Sequence, residues 1–161
     1  MKRIGIFVDV QNIYYTSRQA YQKQFNYRAL WSHLCSQGNI QVANAYAIAR
    51  QDDGQIKFQD ALRHIGFDVK LKPFIQRSDG TAKGDWDVGI TIDIMQQAAQ
   101  LDEVVLLSGD GDFGLLLAHI KKHFNVSTRV ISVPELTARS LTEHADIVEA
   151  ITPQSGFLNN T

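Results

Sequence analysis

The chain has a single cysteine, Cys35, among 161 residues. No internal disulfide can form, which suits a reducing compartment. Cys35 falls in an apolar helical pattern and is expected to pack in the core rather than act as a nucleophile. The five histidines are scattered and form no Cys/His cluster, which argues against structural zinc and against a His-based nucleophilic mechanism. Prolines number three, and there is no repeat, low-complexity tract or linker to divide the chain. One domain over residues 1–152 is therefore expected, with 153–161 small, polar and flexible. No apolar run is long enough to span a bilayer. The opening Met1 to Asp9 has no signal-peptide h-region or cleavage site, so a soluble cytoplasmic protein is expected. Charge of one sign is also missing. The net charge of -1 excludes a strongly basic surface and removes the simplest reason for nonspecific nucleic-acid binding.

What is present is apolar patterning, at 44% hydrophobic residues. Residues 104–107 are an apolar run ending at a glycine-rich break, which is how a strand buried on both faces reads. Residues 4–8 form a second such run and end at Asp9. Further strands are predicted over 42–48, 67–71 and 127–133, with one more short strand at 147–151. Helices are predicted between them. Asn26 caps one that buries Tyr27, Leu30, Trp31 and Leu34, and Gly66 closes one that buries Phe58, Ala61, Leu62 and Ile65. A helix over 85–99 presents Val88, Ile92, Met95 and Ala99 on one face, and a short helix spans 134–143. Residues 74–84 are the longest irregular stretch. Strands alternating with helices define an α/β class with a mainly parallel sheet. With strand order 3-2-1-4-5, the strand ending at Asp9 lies beside the one preceding Asp110, and their carboxyl ends flank the switch-point crevice.

The acidic residues then converge. Asp9 and Asn12 follow one strand, and Asp110 and Asp112 follow the other on a turn where Gly109 and Gly111 are expected to supply special backbone angles. Asp85 and Asp87 open the helix between, although Asp85 alone reads as a complement to the helix N-terminus. Asp112 can also serve as an N-cap, and Asp93, six positions beyond Asp87 and on another face, is expected either to be structural or to support the ligands from outside. Carboxylates brought to one sheet edge repel, so either some are protonated or a cation sits among them. All-oxygen ligands favour Mg²⁺ or Mn²⁺, and such an ion suits phosphodiester hydrolysis. Ser108 either bonds a ligand or satisfies the turn. Lys83 either contacts phosphate or is a solvated loop lysine. With Lys70, Lys72 and Arg77 it forms a modest basic run. Tyr14 and Tyr15 either stack on a base or pack half-buried. A phosphatase of the haloacid dehalogenase type would want an acid where Gln11 stands.

Four stretches resemble the NYN domain, a branch of the PIN-like nuclease superfamily, and within it the bacterial LabA-like members. Ile6-Phe-Val-Asp-Val-Gln-Asn12 resembles the opening Asp-x-x-Asn motif, and Lys83-Gly-Asp-Trp-Asp-Val88 the Lys-Gly-x-Asp helix motif. Ser108-Gly-Asp-Gly-Asp-Phe113 matches the Ser-Gly-Asp-x-Asp-Phe motif, and Ala145-Asp146 resembles the family's late Ala-Asp. The second motif departs from the pattern, because Asp85 and Trp86 stand where one residue is usual. The spacing to Asp93 favours Asp87 as the matching acid. The resemblance implies a three-layer PIN-like, Rossmannoid domain and an endoribonuclease dependent on Mg²⁺ or Mn²⁺. It implies Asp9, Asp87, Asp110 and Asp112 as metal ligands, Asn12 as an orienting residue, and Lys83 and Ser108 as accessory groups. Arg77 joins these as a candidate phosphate contact. RNA is the implied partner, and the pattern leaves room for a homodimer. The alternative is a noncatalytic regulatory module on the same fold that binds RNA or protein.

Overall fold

A computed structural model describes residues 1–49, 52–73, 75–76, 82–83 and 85–159. Among these residues, six parallel strands form one sheet: β1 (Arg3–Asp9), β2 (Asn39–Ala49), β3 (Asp68–Pro73), β6 (Glu103–Leu107), β7 (Ser127–Ser132) and β8 (Ile147–Ala150). Two short strands, β4 (Ile75–Gln76) and β5 (Ala82–Lys83), pair antiparallel within the stretch expected to be irregular. The large sheet runs β3-β2-β1-β6-β7-β8, which is 3-2-1-4-5-6 when its own strands are counted. The expected order therefore holds, and the final short strand extends it.

Among the described residues, six helices cover the sheet: α1 (Val10–Tyr21), α2 (Tyr27–Cys35), α3 (Asp53–Ile65), α4 (Asp87–Gln97), α5 (Gly114–Phe124) and α6 (Arg139–His144). Strand alternation sorts them into two layers. Ile4, Ile6 and Val8 of β1 and Val105 and Leu107 of β6 pack with Ile13, Leu30, Leu34 and Leu62 of α1, α2 and α3. Phe7, Val104 and Leu106 face the other way, onto Ile90, Ile94, Leu117 and Ile120 of α4 and α5. Every residue of β6 is buried, as a central parallel strand covered on both faces requires. Each fully buried Leu or Ile contributes about 1.5–3 kcal/mol to this core.

Local signals set several boundaries. Asn26 accepts a hydrogen bond from Ala29 N at 3.0 Å, and Asp52 accepts one from Gln55 N at 2.8 Å, so each caps its helix. Gly66 closes α3 at φ 137°, where a Cβ would also run into the Trp31 ring. Among the described residues, no helix is long and apolar enough to cross a membrane.

Five expectations need correction. Cys35 is exposed, because the buried stripe of α2 runs through Tyr27, Leu30 and Leu34 and Cys35 lies about 100° round from Leu34. Ala61 is likewise exposed on α3, although Leu62 is buried. On α4 the sheet takes Ile90, Ile94 and Ala98, leaving Val88 68% and Ile92 49% exposed. Both stripes are apolar, so periodicity could not choose between them. The helix expected over 134–143 is split into a 3₁₀ turn, Pro134–Leu136, and α6. The segment after residue 152 is not a flexible tail over its described part. Phe157 and Leu158 are 5% and 7% exposed, Asn26 N donates to Phe157 O at 2.7 Å, and Asn159 N donates to Gln24 O at 2.9 Å. Two apolar residues in a polar stretch are enough to dock it against Phe25.

Candidate metal centre

The carboxyl ends of β1 and β6 lie side by side, with Val8 opposite Leu107. Asp9 follows at the end of β1 and caps α1. Its Oδ1 accepts from Asn12 N at 3.3 Å and its Oδ2 from Ser108 Oγ at 3.3 Å. Ser108 is fully buried, and its Oγ also accepts from Asp110 N at 3.1 Å. Asn12 Oδ1 accepts from Gly109 N at 2.9 Å. Two short segments far apart in sequence are thus stitched together by side chains predicted to belong to one site.

The turn after β6 is a 3₁₀ helix, Gly111–Phe113, leading into α5. Its cap is Asp110, whose Oδ1 accepts from Asp112 N at 2.9 Å, and not Asp112. Neither Gly109 nor Gly111 has a positive φ. Close approach is the reason for both glycines. A Cβ at Gly109 would collide with the Leu136 carbonyl oxygen, and one at Gly111 would lie 2.8 Å from Ala138 Cβ. The chain before and into α6 closes down on this turn, with Ala138 N donating to Gly109 O at 3.0 Å and Ser140 Oγ to Gly111 O at 2.9 Å.

From the opposite side, α4 presents Asp87 in its first turn. Carboxylate oxygens of Asp87, Asp110 and Asp112 lie within 4.8 Å of one another. Asp85 is exposed and stays out of this group, its Oδ1 accepting from Asp87 N at 3.3 Å. Asp9 is 9% exposed and is not one of these three. Burial chiefly, opposed by its Asn12 and Ser108 hydrogen bonds and aided by repulsion from Asp110 and Asp85, pushes its carboxyl up to about 6. Asp87 is pushed up to about 7, first by burial and then by hydrogen bonding to and repulsion from Asp110. Among the described residues, no Lys or Arg is paired with these four carboxylates. Such a cluster holds either shared protons or a cation, and its oxygen-only donors fit a hard divalent ion.

The other candidates divide. Arg77 lies outside the described residues, and Lys83 contributes backbone to β5. The basic run is not a free surface where it is described. Lys70 pairs with Asp68 at 3.3 Å, and Lys72 donates to Asp85 O at 2.9 Å while lying 4.8 Å from the Trp86 ring. Asp93 accepts from Tyr46 Oη at 2.7 Å. Trp86 was not singled out, yet its Nε1 donates to Ala47 O at 2.8 Å and pins the start of α4. Its position immediately before Asp87 was the available signal.

A cluster of acids at the switch point of a parallel three-layer domain lies where open α/β sheets bind their ligands. Residues 3–152 match the family model described as NYN domain, and the chain belongs to that family. It is 31% identical over 170 residues to the "Low amplitude and bright protein LabA" of Synechococcus elongatus, covering 99% of this chain and 89% of that one. A crystal structure of a protein of unknown function from Vibrio parahaemolyticus superposes with a TM-score of 0.92 at 47% identity. That match covers 98% of this chain and 96% of the other.

Proposed function

We propose that this protein is a cytoplasmic endoribonuclease, dependent on Mg²⁺ or Mn²⁺, that hydrolyses RNA phosphodiester bonds. The observation that carries this reading is the meeting of Asp87, Asp110 and Asp112, from two separate segments, within 4.8 Å beside a buried Asp9. Asp87, Asp110 and Asp112 would hold the ion, and Asp9, which the resemblance also implies as a ligand, would complete the negative field. When bound, a divalent ion lowers the pKa of a coordinated water and neutralises charge on phosphate oxygens.

The protein's own share is positioning. Asp9 and Asn12 hold the turn after β6 through Ser108 and Gly109, so Asp110 stays aimed at Asp87. Gly109 and Gly111 let the chain before α6 close over that turn and keep it rigid. Ser108 is a positioning residue in this scheme. Lys83 and Arg77 are proposed as phosphate contacts on the sequence pattern alone. RNA as substrate rests on family membership.

The test is cleavage of a fluorescent RNA with Mn²⁺, together with thermal melts with and without the ion. Asp110→Asn should remain folded in EDTA and lose more than about 100-fold in cleavage, beyond what outer partners of a metal ligand usually cost. Cleavage by that variant at the parent rate would refute the assignment. Absence of any Mn²⁺ or Mg²⁺ stabilisation of the parent would favour the noncatalytic module instead.

A further inference from the structure

A groove of about 920 Å³ runs along the outer face of α1, starting at Val10 and Gln11, the residues directly after Asp9. Its other wall is the end of β2 and the first turns of α3. It continues into a second hollow of about 700 Å³, and the two share Tyr14, Arg18, Gln19 and Gln24. The groove thus leads away from the acidic centre at the same sheet edge.

Its lining points to one kind of occupant. Tyr14 and Tyr15 are 43% and 52% exposed, with rings set edge to face 5.4 Å apart, while Ile13 and Ser17 on the same helix are fully buried. A rigid helix therefore offers two aromatic faces to solvent beside the site, and any unpaired base can stack on such a face. Arg18 is held over the same ring. Its Nη1 donates to Tyr14 Oη at 2.6 Å, and its guanidinium carbon lies 5.9 Å from the ring centroid. Lys23 adds a second cation. Among the described residues that line the groove there is no Asp or Glu, although the chain carries 17 acids against 16 lysines and arginines. The remaining polar lining is mostly glutamine amide, which can both donate to and accept from base edges. Cations, stacking faces and adaptable amides together suit a polyanion with flat, hydrogen-bonding side groups.

We infer that this groove holds the strand presented to the acidic centre, with Tyr14 and Tyr15 as stacking faces for its unpaired bases and Arg18 as the cation beside them. This inference rests on the nuclease reading above and adds the path of the strand. A duplex hides its base faces and cannot use Tyr14 and Tyr15.

The experiment is fluorescence anisotropy in EDTA, where binding is measured without cleavage, using short labelled single-stranded RNA, the matching DNA, and the RNA duplex. Tyr14→Ala and Tyr15→Ala should each weaken binding of the single strand by roughly 5- to 150-fold per stacked base lost. Tyr→Phe at either position should retain most of the affinity. Arg18→Ala should weaken binding and flatten its salt dependence. The duplex should bind more weakly than the single strand, and comparison with DNA reports whether the sugar is read. If the parent binds in EDTA but does not cleave with Mn²⁺, the groove stands and the catalytic reading falls. Tyrosine variants that bind like the parent, or equal affinity for the duplex, would overturn the inference. Failure of the parent to bind any of these oligonucleotides would also overturn it and leave the groove to a peptide.

Discussion

Replacing Asp9 by Asn should make the metal-free protein more stable while removing its activity. Asp9 is 9% exposed, and burial raises its carboxyl from an ordinary 3.8 to about 6. The folded state thus binds the proton more tightly than the unfolded chain does. Stability from this group is fully present below pH 3.8 and is lost as pH rises through about 6. At about 1.4 kcal/mol per pH unit, the whole interval corresponds to about 3 kcal/mol. Asn is neutral at every pH and nearly isosteric, and it can still accept from Asn12 N. It should also relieve Asp87, which Asp9 repels. Urea unfolding in EDTA should show parent and Asp9→Asn nearly equal near pH 4. Their difference should grow between pH 4 and 7 and level off at about 3 kcal/mol in favour of Asn above that. Excess Mn²⁺ should narrow the gap by stabilising the parent more than the variant. A difference that does not change with pH, or a variant less stable than the parent at pH 8, would refute the claim that a buried uncompensated carboxylate stands here.

Three further outcomes are expected. Arg129 Nε and Nη2 donate to the fully buried Glu103 Oε2 at 3.3 and 3.2 Å, and Nη1 donates to Glu149. Arg129→Met should therefore cost about 3–5 kcal/mol by urea melt, whereas adding Glu103→Leu should recover most of it. A double variant as weak as the single would contradict this. Phe157→Ala should cost about 3–5 kcal/mol in the same assay, since Phe157 is 5% exposed against Phe25 and His33. A cost under about 0.5 kcal/mol would restore the flexible-tail expectation. Cys35 should react with a thiol reagent in the native protein nearly as fast as in urea, and strong protection would contradict its exposure.

The sequence by itself determined the layer architecture and the position of the acids along it. Apolar runs at residues 4–8 and 104–107 are too short and too continuous to be amphipathic helices; Asp9 follows the first directly and Asp110 follows the second after Ser108 and Gly109. Strand ends, Asn26 as a cap and Gly66 as a stop are local chemistry, so they could be read residue by residue. Tertiary structure alone decided which acids meet. Asp87 joins Asp110 and Asp112, while Asp85 turns back to bond the backbone of α4 and Asp9 is buried outside that trio. It also decided which apolar stripe of α4 is buried, why Gly109 must be glycine, and that Phe157 docks. Each of these depends on a surface supplied by a distant segment. Periodicity reports only that a face can be buried, and the partner packed against the element chooses whether it is.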